Sequence, residues 1–337
     1  MKLIDVCNPK QWKTILASEL VEDGYPVFGA NGIIGYFSDY NHENPTLCIT
    51  CRGATCGTVN KSLPYSYITG NSMALDDLDE SVITIDFLYY FLQYRGFDDV
   101  ITGSAQPQIT RQSLSKITVP EIDLNIQKNI TNIIKRLEQL ILIREKQREK
   151  FNMLVKSRFN EMFGDVILND KEWKISKWNE ILTVRNGKNQ KNVEDKNGQF
   201  PIYGSGGIIG YAKDWIVKKN SVIIGRKGNI NKPILVRENF WNVDTAFGLE
   251  PTLEKINSEY LFYFCQLYNF EKLNKAVTIP SLTKSDLLDI SLPLPPLSLQ
   301  NEFADLVAQV DKSQLAIQKS LEELETLKKS LMQEYFG

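Results

Sequence analysis

The chain has 337 residues, 42% hydrophobic and 24% charged, ordinary proportions for a soluble globular protein and enough for two domains of roughly 100–200 residues each. Its net charge is −2, from 39 basic and 41 acidic side chains, so it lacks the overall basicity of many nucleic-acid binders, although charge segregated onto separate faces would still allow that role. No apolar run approaches the roughly 20 residues of a membrane helix, Asp5 interrupts any signal-peptide core, and five irregularly placed cysteines argue against a disulfide framework, so a cytoplasmic location is expected.

The first globular part runs from the N-terminus to about Pro120 and is rich in Gly, Asn and Tyr. Its short β-branched runs, such as Thr46-Leu47-Cys48-Ile49-Thr50, predict strands separated by tight turns. Ile85-Asp86-Phe87-Leu88-Tyr89-Tyr90-Phe91-Leu92 predicts a buried helix, with a strand as the alternative at this length. Residues 121–164 predict a long helix, with Pro120 as its start punctuation. Residues 165–296 form a second globular part, with a strand at Asn220-Ser221-Val222-Ile223-Ile224-Gly225 and a buried segment at Ser258-Glu259-Tyr260-Leu261-Phe262-Tyr263-Phe264-Cys265. Pro295-Pro296 introduce a second helix over 297–337.

The second half repeats the first. Tyr25-Pro26-Val27-Phe28-Gly29-Ala30-Asn31-Gly32-Ile33-Ile34-Gly35-Tyr36 returns as Phe200-Pro201-Ile202-Tyr203-Gly204-Ser205-Gly206-Gly207-Ile208-Ile209-Gly210-Tyr211, 175 residues on. Ile117-Thr118-Val119-Pro120 returns as Ile290-Ser291-Leu292-Pro293, and Phe163-Gly164 as Phe336-Gly337, both 173 residues on. This period far exceeds that of solenoid units. It marks a duplicated domain with a duplicated appendage. The expected fold is α+β: two pseudo-symmetric mixed α/β domains, 1–120 and 165–296, joined by two long antiparallel coiled-coil helices.

Phe303, Val310, Ile317, Leu324 and Leu331 recur every seventh residue, with Leu306 and Leu327 three residues after members of the series and Ser313 and Ser320 in the same phase. The first helix offers Ile130, Leu137, Arg144, Phe151 and Arg158, with Ile133, Gln147 and Leu154 as companions. This is a polar-interrupted heptad seam. Each helix, roughly 35 residues or about 50 Å long at 1.5 Å per residue, is expected to pack on the other. A generic dimerisation handle is the alternative.

The catalytic inventory is thin. No GxxxxGK[ST] phosphate loop is present, and Gly204-Ser205-Gly206-Gly207-Ile208-Ile209-Gly210 fails GxGxxG because Ile209 stands at the third glycine. His42 is the single histidine and lies in Asn41-His42-Glu43-Asn44-Pro45, which reads as an exposed polar loop. Cys48, Cys51 and Cys56 are spaced like metal ligands, but at an offset of 174 their counterparts are Val222, Gly225 and Ile230, so structural thiols are expected. A metal-dependent enzyme on these cysteines and a coiled-coil adaptor that binds only proteins remain alternatives.

What remains is polar recognition chemistry. Cys51-Arg52-Gly53-Ala54-Thr55 and Gly225-Arg226-Lys227-Gly228-Asn229 each place an arginine after a strand in a glycine-containing loop. Arg111 and Lys284 end a second repeated polar loop, and Gly187-Lys188-Asn189-Gln190-Lys191-Asn192 is cationic and amide-rich. Arginine forks suit guanine or phosphate, while Asn and Gln read adenine edges. The loop tips diverge: Ala54-Thr55-Cys56 against Asn229-Ile230-Asn231, and Asn71-Ser72-Met73 against Val243-Asp244-Thr245. A shared frame with divergent tips predicts two readers with different preferences.

On these strings the chain resembles the specificity subunit of type I restriction–modification systems. The Phe-Pro-Ile-Tyr-Gly string, the strand followed by Gly225-Arg226-Lys227-Gly228, and Ile290-Ser291-Leu292-Pro293-Leu294-Pro295-Pro296-Leu297-Ser298-Leu299-Gln300 carry the resemblance, with Gln127 matching Gln300 in a weaker first copy. It implies target-recognition domains at 1–120 and 165–296 and spacer helices at 121–164 and 297–337. It implies a split DNA site read half by each domain, with the helices as ruler. The candidate DNA-contacting residues are Asn31, Arg52, Thr55, Asn71, Ser72, Gln106, Gln108 and Arg111 in the first copy. In the second they are Lys188, Asn189, Gln190, Lys191, Arg226, Lys227, Asn229, Asn231, Asp244, Thr278, Ser281 and Lys284. The resemblance also implies two methyltransferase subunits and often two restriction-motor subunits as partners. S-adenosylmethionine, ATP and magnesium would belong to those partners, and this chain would not be an enzyme.

Overall fold

The structure is a computed structural model that describes every residue except Ser104, Ala105 and Val277. Those three fall in the repeated loops at 103–111 and 276–284, and that part of the loop comparison lies outside the described residues. The chain divides into two compact units, Met1–Glu145 with Lys319–Gly337, and Lys146–Gln318. Each unit thus takes in a stretch of both long helices.

The first unit contains, in chain order, α1 (Leu3–Val6), β1 (Asn8–Gln11), β2 (Tyr25–Gly29), β3 (Gly32–Phe37), β4 (Leu47–Thr50), β5 (Val59–Lys61), β6 (Tyr67–Ile68), β7 (Ser72–Asp76), α2 (Ile85–Arg95) and α3 (Arg111–Leu114), followed by the first turns of the long helix α4 (Leu124–Phe163). An antiparallel sheet runs β1-β7-β4-β5, and a smaller one β3-β2-β6. The second unit opens with the end of α4 and continues through β8 (Ile175–Lys177), α5 (Trp178–Ile181), β9 (Leu182–Asn186), β10 (Phe200–Gly204), β11 (Gly207–Ala212), β12 (Ser221–Gly225), β13 (Ile234–Val236), β14 (Trp241–Asn242), β15 (Ala246–Pro251), α6 (Ser258–Leu267), α7 (Lys284–Leu288) and β16 (Ser291–Pro293) to the second long helix, α8 (Leu297–Phe336). Its sheets, β13-β12-β15-β9 and β11-β10-β14, repeat the first pair, and β16 pairs with β8.

The central strands are apolar without alternation because both faces are covered. Leu47 and Ile49 of β4 face the large core with α2, while Cys48 turns to Phe28, Ile68 and Ala74 under the small sheet. Val222 and Ile224 of β12 likewise join the core with α6, and Ile223 packs with Tyr203, Val217 and Phe240. The segments that allowed helix or strand are helices. Thr84 caps α2 by accepting a bond from Phe87 N, and Asn257 caps α6 by accepting from Glu259 N.

Each long helix has 40 residues. In the second unit Asn152 meets Gln314 and Arg148 meets Gln318, so the helices run antiparallel there. In the first unit Glu138 binds Lys328 at 2.6 Å, and Ile130 and Ile134 pack in one cluster with Met332. The heptad series is correct but its companions are one residue later than the sequence pattern suggested. Ile134, Val155, Val307 and Leu321 are buried, whereas Ile133, Leu154 and Leu327 are exposed. A seam alternates steps of three and four residues. The apolar series sits where the following step is four, and polar residues at several companion positions hid the phase.

His42 also departs from the expected exposed loop. Its side chain is only 9% exposed, with Nε2 2.9 Å from Asp76 Oδ1 and Nδ1 2.6 Å from Asn41 Oδ1. Trp12 packs edge-on against the ring. The loop is thereby fastened to the end of β7.

Candidate nucleic-acid interface

In the first unit, β4 delivers Arg52 to a loop held by the segment before α3. Ile109 N donates to Cys51 O at 2.9 Å, and Gly53 N to Pro107 O at 3.2 Å. Thr110 caps α3 and fixes Arg111 at its first position. Arg52, Gln108 and Arg111 are therefore brought together, lining a cleft of about 300 Å³ with Lys10, Gln11 and Met73. Among the described residues, Lys10, Arg52 and Arg111 have no carboxylate partner; the Lys10 amine instead lies 3.6 Å from the Trp12 ring centroid. Three uncompensated cations around one concavity create a local positive potential that the net charge of the chain conceals.

The hairpin between β2 and β3 carries Asn31 exposed near its tip. The hydroxyl of Ser72 donates to Gly29 O at 3.0 Å, and that of Thr50 donates to Ala30 O, which docks the tip against the ends of β7 and β4. Ser72 is thus fully buried, with its hydroxyl engaged in supporting the hairpin. Thr55, Asn71 and Gln106 are exposed.

Cys51 lies behind the cleft, and Gln11 Nε2 donates to its sulfur at 2.9 Å. Burial pushes the Cys51 thiol up, opposed by that hydrogen bond and by the charge of Arg52. Burial alone pushes Cys48 up to about 12, so it stays a neutral thiol. Among the described residues no group of three or more His, Cys, Asp and Glu is placed to hold a metal ion.

The second unit builds the same frame. Arg226 N and Lys227 N both donate to Thr245 O, Leu282 N to Arg226 O at 2.9 Å, and Gly228 N to Pro280 O at 3.0 Å. Lys227 bridges to Ser281 as Arg52 does to Gln108. This register changes the pairing of the copies: Arg52 corresponds to Lys227, and Cys51 to Arg226. Likewise Asn71 corresponds to Thr245, because each accepts the bond from the residue after the central strand. The linear alignment is one residue out at Arg52 and two at Asn71, because the offset between the copies changes from loop to loop.

A side chain at Gly225 would meet Asn229 O at 2.4 Å, so the loop folds back tightly and sets Asn229 beside Gly206 of the β10–β11 hairpin. A Cβ at Gly187 would fall 1.8 Å from Val243 O. Glycine there lets the cationic loop lie on the segment that carries Asp244, with Lys188 N bound to Asn242 O at 2.9 Å. Lys188, Lys191, Lys227, Asn229 and Asp244 are exposed and Gln190 half-buried. Asn189 spends its Oδ1 on Lys191 N. Arg226 is half-buried, its guanidinium 5.6 Å from the Phe247 ring centroid. Asn231 is exposed, its Oδ1 accepting from Phe270 N at 2.8 Å, so it tethers the segment before Phe270. Thr278 and Lys284 are exposed and Ser281 half-buried, with Lys284 at the start of α7.

The sequence reading missed Lys10 and Gln11. A signal existed: the pairing of β1 with β7 and of β9 with β15 aligns Lys10-Gln11 with Arg185-Asn186, a cation followed by an amide in both copies. In the second copy Arg185 is engaged by Glu250 at 2.8 Å. In the first, the equivalent acid, Asp76, is taken by His42 and by Trp12 Nε1 at 3.1 Å, which leaves Lys10 unpaired.

Two α+β heads with equivalent frames and different polar tips define a two-headed recognition protein. Residues 1–152 and 170–328 match the family model described as type I restriction modification DNA specificity domain, and the chain belongs to that family. It is 22% identical over 331 residues to the type I restriction enzyme MjaIX specificity subunit of Methanocaldococcus jannaschii, covering 85% of this chain and 76% of that one. It is 26% identical over 156 residues to the EcoDI specificity subunit of Escherichia coli, covering 44% of this chain and 34% of that one. The crystal structure of a type I restriction–modification S subunit from M. genitalium superposes with a TM-score of 0.69 at 18% identity, covering 100% of this chain and 95% of that one.

Proposed function

We propose that this chain reads a bipartite DNA sequence, one half by each head, and directs adenine methylation and restriction carried out by partner subunits. The observation that carries the reading is the pair of equivalent loop frames whose polar side chains differ, Arg52, Gln108 and Arg111 in one and Lys227, Ser281 and Lys284 in the other. Base edges in the major groove are distinguishable by such donors and acceptors, and cations engage phosphates. The heads are taken as 1–120 and 165–296, the spacer helices as 121–164 and 297–337, and the paired helices as the element that fixes the half-site separation. The chain is non-catalytic in this reading. Two methyltransferase subunits fit its internal duplication, and two restriction-motor subunits complete the assembly. S-adenosylmethionine, ATP and magnesium serve those subunits. Among the described residues no helix is long and apolar enough to cross a membrane, in keeping with work on cytoplasmic DNA.

The test is to map methylated adenines in cells of the source organism with and without this gene. Loss of one split motif on deletion is expected. Loss of a contiguous motif, or of none, overturns the reading. A protein-only adaptor would leave every motif in place.

A further inference from the structure

We propose that Gln127 and Gln300 are positioning residues that fix the angle between each reading head and its long helix, and so set which half-site separation is accepted. Both glutamines are fully buried, which is rare for a polar side chain and costly unless its hydrogen bonds are met. Gln127 Oε1 accepts from Thr84 N at 2.8 Å, and its Nε2 donates to Val82 O at 2.9 Å and Ile122 O at 2.7 Å. Gln300 Oε1 accepts from Asn257 N at 2.8 Å, and its Nε2 donates to Pro295 O at 2.8 Å. Thr84 and Asn257 are the N-caps of α2 and α6. In both units, then, one amide on the first turn of a long helix clasps the start of the head's central helix and the segment leading into the long helix.

A single clasp would act as a pivot. A second tie makes it a fixed joint. Asp86 on the first turn of α2 binds Lys61 of the sheet at 2.7 Å and also Lys135 of α4. On the first turn of α6, Glu259 binds Arg237, which reaches Asp311 of α8 at 3.0 Å. The order of charges is inverted between the units, yet the same three elements are joined. Eight residues separate Gln127 from Lys135 and eleven separate Gln300 from Asp311, about 12 and 16 Å along the helix at 1.5 Å per residue. Two attachments that far apart resist rotation of the head about either one. A buried amide hydrogen-bonded through both its oxygen and its nitrogen is also directional, whereas an apolar contact of the same volume would hold the helix with less angular definition.

The inference rests on the split-site reading. Its test uses the complete methylating complex on a DNA library in which both half-sites are kept and the spacer is varied. For Gln300→Leu, discrimination between the preferred spacer and spacers one base pair longer or shorter is expected to fall by about tenfold, a ratio within the range of one lost buried hydrogen bond. Half-site discrimination stays as in the parent. Gln127→Leu gives the same result. A folded variant with reduced thermal stability and an unchanged spacer profile overturns the proposal, since stability loss alone would not relax one dimension of specificity. Should Gln300→Leu fail to fold, Asp311→Ala at the half-exposed second tie carries the test with the same expected and overturning results. A parent complex that methylates no split site would instead refute the functional reading, which separates the two failures.

Discussion

Replacing Lys10, Arg52 and Arg111 together by alanine tests the cleft of the first unit. None of the three is neutralised by an acid, so each is available to displace a counterion from duplex DNA. Each phosphate contact contributes about 0.9 to the slope of log affinity against log salt, so the triple variant should lower the slope by about 2.7. Between about 50 and about 200 mM salt, the parent should then lose roughly 40-fold more affinity than the variant. Fluorescence anisotropy of the assembled complex with a labelled duplex, titrated across that range, measures both slopes. Lys177→Ala is the control, because Lys177 is exposed and paired with Asp289 at 2.5 Å. A triple-variant slope equal to the parent's would mean that these cations face no phosphate, and the placement of the interface would be wrong. Gln108→Ala offers a contrast: an amide that reads a base edge alters sequence preference and leaves the slope in place.

A heptad inserted into α4 between Gln127 and Arg158, with a matched heptad in α8, should change the preferred spacer length and leave both half-site sequences alone; methylation mapping that finds the original spacer defeats the ruler. Phe303, fully buried against Phe159, Phe163 and Tyr263, should cost about 3–5 kcal/mol when replaced by alanine, whereas Leu327→Ala should cost under about 0.5 kcal/mol, as read by chemical denaturation. Equal costs would restore the seam phase suggested by the sequence. Burial alone would raise the pKa of Asp86, but hydrogen bonds and charge from Lys135 and Lys61 outweigh it and hold the carboxyl below its usual range. A depressed carboxylate stabilises above the unfolded-state pKa and loses that contribution as pH falls through the folded one. The stability gap between the parent and Asp86→Asn should therefore be present near pH 6, above the ordinary carboxyl range, and shrink as acid titrates the depressed carboxyl, and a gap independent of pH would contradict the ion-pair account.

The duplication, the mixed α and β heads, the two long helices and the family were legible in the chain itself. Each depends on local pattern: the Gly-Ile-Ile-Gly-Tyr strings, a continuous apolar run such as Ser221–Gly225, and a seven-residue period. Folding decided what depends on neighbours distant in sequence. Whether Leu327 or Leu321 faces the partner helix is set by which side that partner occupies, and the seven-residue series fits either companion. That Arg52 corresponds to Lys227 follows from hydrogen-bond register, which one residue of loop drift obscures in a linear alignment. Ser72 carries chemistry suited to reading DNA, but the fold buries it and commits its hydroxyl to Gly29 O, and Asn231 commits its Oδ1 to Phe270 N while staying exposed. Lys10 became a candidate only when β1 was placed beside the 108–111 loop and His42 was found holding the acid that, in the second copy, engages the corresponding cation. Sequence determines what a side chain can offer; tertiary structure determines which offers are already taken, because a hydrogen bond or ion pair satisfied inside the protein is no longer available to a ligand.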